Sequence, residues 1–237
     1  MEELGDRPLR VSEASIEELG GTPRVPVALT IDASGSLAGD PIRELNERLG
    51  GFVEDIKNDP VAADALDLAV LVCSTDVRII QDFAPVAFVE VPRFEATGTT
   101  PLCAATNQAL DMIHARVSEE YARAEVGNHK PWLMVLSDGY PSESDIEVVQ
   151  TGIRVRKVEK ASRREDRVAV FMIGVGANAN MSTLGKMALR RPRRLRELAF
   201  REFFRWLSES LRTVSRSLPD DDQIRLPDAD DYGWEHV

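Results

Sequence analysis

Four apolar runs of strand length punctuate the chain, at 25–31, 66–74, 132–136 and 168–175. Between them, apolar residues return every three or four positions, the spacing of one helical face. Ile42, Leu45, Leu49, Phe52, Val53 and Ile56 form one such face. Leu102, Thr106, Leu110, Ile113, Val117 and Tyr121 form a second, and Ile146, Val149, Ile153 and Val158 a third. A short helix is expected around Leu184, and a last one carries Phe200, Phe203, Phe204, Leu207, Leu211, Val214 and Leu218. Asp40-Pro41 marks a helix start, because a side-chain acceptor meets free N–H groups and proline loses nothing at the first helical position. The run at 66–74 is apolar almost throughout, which fits a parallel strand covered on both faces. Two shorter runs, 78–83 and 86–91, are interrupted by Pro85 and Pro92 and predict an antiparallel edge or hairpin. A weak sixth strand is expected near 194–198.

This alternation predicts one α/β domain over 25–218: a three-layer, doubly wound, mostly parallel sheet with one antiparallel edge strand and helices on both faces. Gly50-Gly51 weakens the first helix, and close packing on the sheet is the expected reason for keeping the pair. Residues 1–24 read as an N-terminal arm or edge element. Residues 219–237 are an acidic tail that also holds Tyr232 and Trp234. Two readings stay open for it: a disordered solubilising segment, or one that docks through the two aromatics on a basic surface of its own chain or of a partner, with Arg190, Arg191, Arg193, Arg194 and Arg196 as a candidate surface.

Charge and composition narrow the function. The 237 residues carry a formal net charge of -11, which argues against general nucleic-acid binding, since phosphates must be met by Lys and Arg. The first residues lack a secretory pattern and no apolar run reaches the roughly 20 residues that span a bilayer, so a cytoplasmic location without membrane attachment is expected. Cys73 and Cys103 show no paired spacing and read as buried free thiols. The basic stretch 154–167 is interrupted by acids and reads as a solvated helix face. Oligomeric state is not encoded in any visible pattern.

The chemistry concentrates at the carboxyl end of the first strand. Asp32-Ala33-Ser34-Gly35-Ser36 places a carboxylate and two hydroxyls at alternate positions, so that they converge, with Ala33 and Gly35 as the backbone between them. In an open parallel sheet the loops at that edge meet, which brings Thr100 of the segment ATGTTP and Asp138 at the end of WLMVLSD to the same place. All five offer oxygen, the donor of hard cations, and two carboxylates, hydroxyls and water suit Mg2+, with Mn2+ or Ca2+ as alternatives. Catalysis reads less well. Asp32 as the nucleophile of a metal-dependent phosphatase or phosphotransferase is the alternative, but Ser34 stands where a carboxylate acid/base would be needed. No G-x-S-x-G elbow or phosphate-binding glycine loop is present. His114 on a helix surface, His129 in a loop and His236 in the tail have no role as a base.

Asp32-Ala33-Ser34-Gly35-Ser36, Gly98-Thr99-Thr100-Pro101 and Leu136-Ser137-Asp138-Gly139, in that order, resemble the metal-ion-dependent adhesion site of von Willebrand factor type A domains. The resemblance covers about 25–218. It implies metal-contacting roles for Asp32, Ser34, Ser36, Thr100 and Asp138, with Asp32 or Asp138 acting through water. It also implies a non-enzymatic binding module whose metal takes an Asp or Glu from a protein partner. Pro101, Leu102, Tyr140 and Pro141 are expected to frame the rim. The chain further resembles bacterial stand-alone members of the tellurium-resistance TerY group, which implies a stress-response or signalling setting with a kinase or phosphatase component as partner. It departs from them in lacking a cysteine-rich zinc module.

Overall fold

The computed structural model describes residues 21–195, 199–219, 221 and 224–236. The arm expected before residue 21 lies outside the described residues, as do Arg196 and the end of the strand expected over 194–198. Four strands answer the four apolar runs: β1 (Val25–Asp32), β2 (Leu66–Cys73), β4 (Trp132–Ser137) and β5 (Ala169–Gly174). Every residue of β1, β2 and β4 is buried, as two covered faces require. With β3 (Val77–Pro85), β6 (Arg193–Leu195) and β7 (Trp234–His236) they make a seven-stranded sheet in the order β3-β2-β1-β4-β5-β6-β7. β1 pairs in parallel with β2 on one side and β4 on the other, so the strand order reverses beside it. β3 is the antiparallel edge on the β2 side. The second run expected to extend it, 86–91, instead forms a single tight turn at Val86–Phe88, because Pro85 and Pro92 deny it a ladder.

Among the described residues six α-helices cover the sheet. α1 (Asp40–Lys57), the short α2 (Pro60–Ala65) and α6 (Phe200–Ser215) share one core with one face of the sheet. α3 (Leu102–His114), α4 (Asp145–Glu159) and α5 (Met181–Met187) share the other. Sequence reading passed over α2, whose signal is Asp59 accepting from the N–H groups of Val61 and Ala62 with Pro60 in the first turn. Asp40 proves to be the first residue of α1, after Gly39, and caps nothing with its side chain.

Gly50 and Gly51 do not pack on the sheet. Both face solvent, and a Cβ added at either would meet nothing within 4 Å. Gly50→Ala and Gly51→Ala are therefore expected to stabilise the protein by about 0.5–1 kcal/mol each. A urea midpoint that falls in either variant would show that the pair has a local role after all.

A second correction concerns α4. Its inward face is Val148, Thr151, Gly152 and Val155, whereas Ile146, Val149 and Ile153, expected to be buried, are 69%, 46% and 58% exposed. Close approach decides this: a Cβ on Gly152 would lie 2.1 Å from the carbonyl oxygen of Lys186, so the side towards α5 admits only small residues.

At the amino-terminal edge of the sheet, Asp67 is fully buried and accepts from three side chains. Arg24 Nε reaches its Oδ1 at 3.1 Å, Arg116 Nε and Nη2 reach Oδ2 at 3.0 and 2.6 Å, and the Tyr121 hydroxyl donates to the same Oδ2. Arg116 and Tyr121 are five residues apart, and α3 continues through Ala115–Tyr121 as wide π-helical turns. A π-turn repeats about every five residues, which lets both side chains face one carboxylate.

Beyond α6 the chain folds back. β7 pairs antiparallel with β6, Tyr232 and Trp234 are buried, and Trp206 Nε1 donates to the carbonyl of Pro227 at 2.9 Å. Asp230 pairs with Arg193 at 2.7 Å. The aromatic rings provide the apolar contact, with Trp234 5.9 Å from Phe203 and 4.8 Å from Trp206. Of the two readings of this tail, docking on the chain's own basic surface describes these residues.

Candidate metal centre

Three loops meet at the carboxyl edge of β1 and β4. Asp32 ends β1, and the backbone then leaves the sheet through a short turn at Gly35–Leu37. The segment before α3 is pinned over it by Thr97 N–H donating to Ala33 O at 2.8 Å and Gly35 N–H donating to Gly98 O at 3.3 Å. Gly98 has φ +71, and a Cβ there would meet Thr75 Oγ1 at 2.2 Å and its backbone N at 2.7 Å, so only glycine fits this approach. Gly139, at φ +77 and against the Asn180 carbonyl, allows the same at the loop that carries Asp138.

All five residues singled out from sequence come together. Thr100 Oγ1 lies 3.5 Å from Asp32 Oδ1, Ser34 N–H donates to that oxygen at 2.9 Å, and Ser34 Oγ is 3.0 Å from Ser36 Oγ. Ser36 Oγ in turn donates to Asp138 Oδ2 at 2.8 Å, closing a chain of oxygens across the three loops. Asp32, Ser34 and Thr100 are buried, Asp138 is half-buried and Ser36 is exposed, so the cluster opens to solvent on one side. Of the expected rim, Leu102 is fully buried beneath the site, while Tyr140 is 57% exposed beside it.

Two residues that sequence reading missed hold the arrangement in place. Ser137 Oγ donates to Asp32 Oδ2 at 2.7 Å and accepts from Gly139 N–H at 3.0 Å, fixing the carboxylate from behind. Its position next to Asp138 was the available signal. Glu143 Oε1 accepts from Ala104 N–H at 2.9 Å and so ties the first turn of α3 to the Asp138 loop. Only the fold brings these two together.

Burial pushes the Asp32 carboxyl above the ordinary range; hydrogen bonds from Ser137 and Ser34 oppose this, and the negative charge of Asp138 adds to it. Burial likewise pushes the Cys73 thiol up, and that of Cys103 up to about 11, so both remain protonated thiols. Asp32 is fully buried, with both oxygens engaged by hydroxyls or backbone, which leaves it poorly presented as a nucleophile.

The donor set fits a hard cation. Neighbouring oxygens of an octahedral Mg2+ shell with bonds near 2.1 Å stand about 3.0 Å apart. The Ser34–Ser36 and Ser36–Asp138 separations, 3.0 and 2.8 Å, have that spacing. Among the described residues no group of three or more His, Cys, Asp or Glu is arranged to hold a metal.

A doubly wound sheet whose central strand ends in this oxygen cluster defines a recognisable class of α/β domain. The family model of the von Willebrand factor type A domain matches residues 27–202, and the chain belongs to that family. Among solved structures, the von Willebrand factor domain of the type V pili tip protein Mfa5 from Porphyromonas gingivalis is 11% identical, with TM-score 0.57 over 83% of this chain and 98% of that one. A von Willebrand factor type A protein from Catenulispora acidiphila is 16% identical, with TM-score 0.56 over 81% of this chain and 43% of that one. Manganese-loaded TRAP protein from Plasmodium vivax is 17% identical, with TM-score 0.51 over 73% of this chain and 65% of that one. At these identities the likeness is one of fold, and the chain spans less than two thirds of the latter two. Comparison with curated proteins yields no match. Domains of this family commonly mediate metal-dependent protein interactions, and no helix among the described residues is long and apolar enough to cross a membrane.

Proposed function

We propose that this domain is a divalent-cation-dependent protein-binding module in which Asp32, Ser34, Ser36, Thr100 and Asp138 hold Mg2+ and a partner's Asp or Glu completes the shell. The observation that carries this reading is the convergence of five oxygen-bearing side chains from three loops, two of whose separations, Ser34–Ser36 and Ser36–Asp138, match the edge of an octahedral shell, in a cluster open to solvent on one side. A bound cation would supply a Lewis-acidic position for an incoming carboxylate. Asp32 and Asp138 together balance the two charges of the cation, and Ser34, Ser36 and Thr100 supply neutral donors, so an incoming carboxylate is drawn to the open coordination position and not by a net charge of the site. Ser137 and Glu143 keep the loops in register.

Mg2+ is preferred over Ca2+ because the donors are few and fixed by mutual hydrogen bonds, whereas Ca2+ takes six to eight ligands in a looser cage. Mn2+ fits the same oxygen set. The proposed setting, a bacterial stress-response or signalling system with a kinase or phosphatase component, rests on the sequence resemblance to the tellurium-resistance group alone.

The test is a calorimetric titration of Mg2+ and Mn2+ into wild type and Asp138→Ala. Affinity is expected to fall by roughly 10–100-fold in the variant, with the far-ultraviolet circular dichroism unchanged because Asp138 sits at the loop edge. Equal affinities would exclude these residues as the site.

A further inference from the structure

α4 turns its largest apolar side chains outward. Ile146, Val149 and Ile153 are exposed, while its buried face is made of Val148, Thr151, Gly152 and Val155. Their spacing of three and seven residues confines them to an arc of about 60° on a regular helix. Tyr140, two residues after Asp138, is a further exposed apolar ring near the start of α4: its N–H donates to Asp138 Oδ1 at 3.0 Å, its hydroxyl donates to the Asn178 carbonyl at 3.2 Å, and it is 57% exposed. Four of the eight large apolar side chains exposed among the described residues thus fall between 140 and 153, beginning at the oxygen cluster. Single exposed apolar residues need no explanation, but an aligned strip is the mark of an interaction surface. At its lower end the same arc continues into two exposed lysines, Lys157 and Lys160.

We propose that this strip is the lateral half of the partner-docking surface and receives an amphipathic helix of another protein. The inference rests on the metal-site reading above, because Tyr140 is hydrogen-bonded to Asp138 and α4 begins at Asp145, five residues further on. Its chemistry specifies the occupant in order. A carboxylate reaches the metal, branched apolar residues at helical spacing cover Tyr140, Ile146, Val149 and Ile153, and an acidic residue meets Lys157 and Lys160. From Ile146 to Lys157 the strip is roughly 17 Å long, about three helical turns. A different protein is preferred to a second copy because two chains of net charge -11 repel one another.

The experiment places the photoreactive residue benzoylphenylalanine at Val149 in the full chain and irradiates it in native host extract with Mg2+. The expected product is a crosslink to a segment of another protein bearing an acidic residue at each end of an apolar helical repeat. That crosslink should disappear with EDTA and in Asp138→Ala. A synthetic peptide of the segment should then bind wild type in fluorescence anisotropy, and Ile146→Asp and Ile153→Asp should each weaken it at least about tenfold. Both variants should keep the wild-type Mg2+ titration, and Lys157→Glu should flatten the salt dependence. A crosslink to a second copy of this chain, or to a segment without acidic ends, overturns the proposal. So does the lack of a crosslink from Val149 while the same probe at Tyr140 still gives a metal-dependent one, an outcome that leaves the metal-site reading intact. Wild type that binds neither Mg2+ nor Mn2+ removes the metal-site reading itself, and this proposal with it.

Discussion

Asp67→Asn is expected to destabilise the domain by about 3–5 kcal/mol, the usual consequence of removing one partner from a buried ion network. The substitution keeps the shape of the side chain and removes its charge. Two guanidiniums would then stand at 0% and 3% exposure without their counter-charge, Arg24 retaining carbonyl acceptors and Arg116 retaining Glu120 at 2.5 Å. Burial is the largest single influence on Arg116 and lowers its pKa, yet the charge and hydrogen bonds of Asp67 together with Tyr121 and Glu120 outweigh it and hold the pKa raised, so the arginine stays charged and must be compensated. Burial raises the Tyr121 hydroxyl and Asp67 raises it further, leaving it a committed donor. With a total stability of about 5–15 kcal/mol for a native domain, the loss is a large fraction. Heat denaturation should show a midpoint lowered by roughly 6–20 °C. Joint replacement by Arg24→Met, Asp67→Leu, Arg116→Met and Tyr121→Phe should recover most of it, since an apolar cluster of similar volume costs no desolvation. A midpoint for Asp67→Asn within the error of wild type would mean that the network is not what fastens this end of the sheet.

The same network shows where sequence reading stops. Arg24, Asp67, Arg116 and Tyr121 are scattered over nearly 100 positions, and each alone reads as an ordinary surface charge or core aromatic. Nothing local announces that a π-turn will bring two of them to one carboxylate. The convergence of the oxygen cluster was legible for the opposite reason: three of its residues sit in one five-residue stretch, and the other two follow glycine-bearing or strand-ending patterns. β1, β2, β4 and β5 were legible because double burial leaves an uninterrupted apolar run. α4 misled because its apolar periodicity is real but faces outward; periodicity reports a face, and only tertiary packing, here Gly152 against Lys186, decides which side that face takes. β7 was hidden by composition. A tail rich in aspartate reads as solvated, and its docking depends on Trp234 finding Phe203 and Trp206, and on Tyr232 finding Arg205 and Glu209, on a helix that ends well before them.

Function and stability should pull in opposite directions at Asp32, and Asp32→Asn should expose this as a reversal in rank. The carboxyl has a raised folded-state pKa against an ordinary value of 3.8, with burial the largest cause. The fold therefore favours the protonated form. Below the ordinary value the group imposes no cost, stability declines as pH rises from there through the raised folded value, and above that the full cost persists at neutral pH. Asparagine carries no such cost and retains an oxygen for the Ser34 N–H and Thr100. Its amide can donate to Ser137 Oγ in place of accepting from it, since that hydroxyl has a second lone pair. In EDTA at neutral pH, Asp32→Asn should melt higher than wild type, and the gap should close as pH falls below the raised pKa. With Mg2+ at 100 times its dissociation constant, wild type should gain about 2.7 kcal/mol by linkage and the variant nothing, so that wild type melts higher. Scanning calorimetry with and without Mg2+ at two pH values reads all four states. A variant that melts below wild type in EDTA at neutral pH would contradict the burial cost, and one that gains stability from Mg2+ would remove Asp32 from the metal shell. Buried charge that destabilises the free fold and is relieved only on loading is what a cation-gated recognition site requires, because the same carboxylate then couples folding energy to the occupied state.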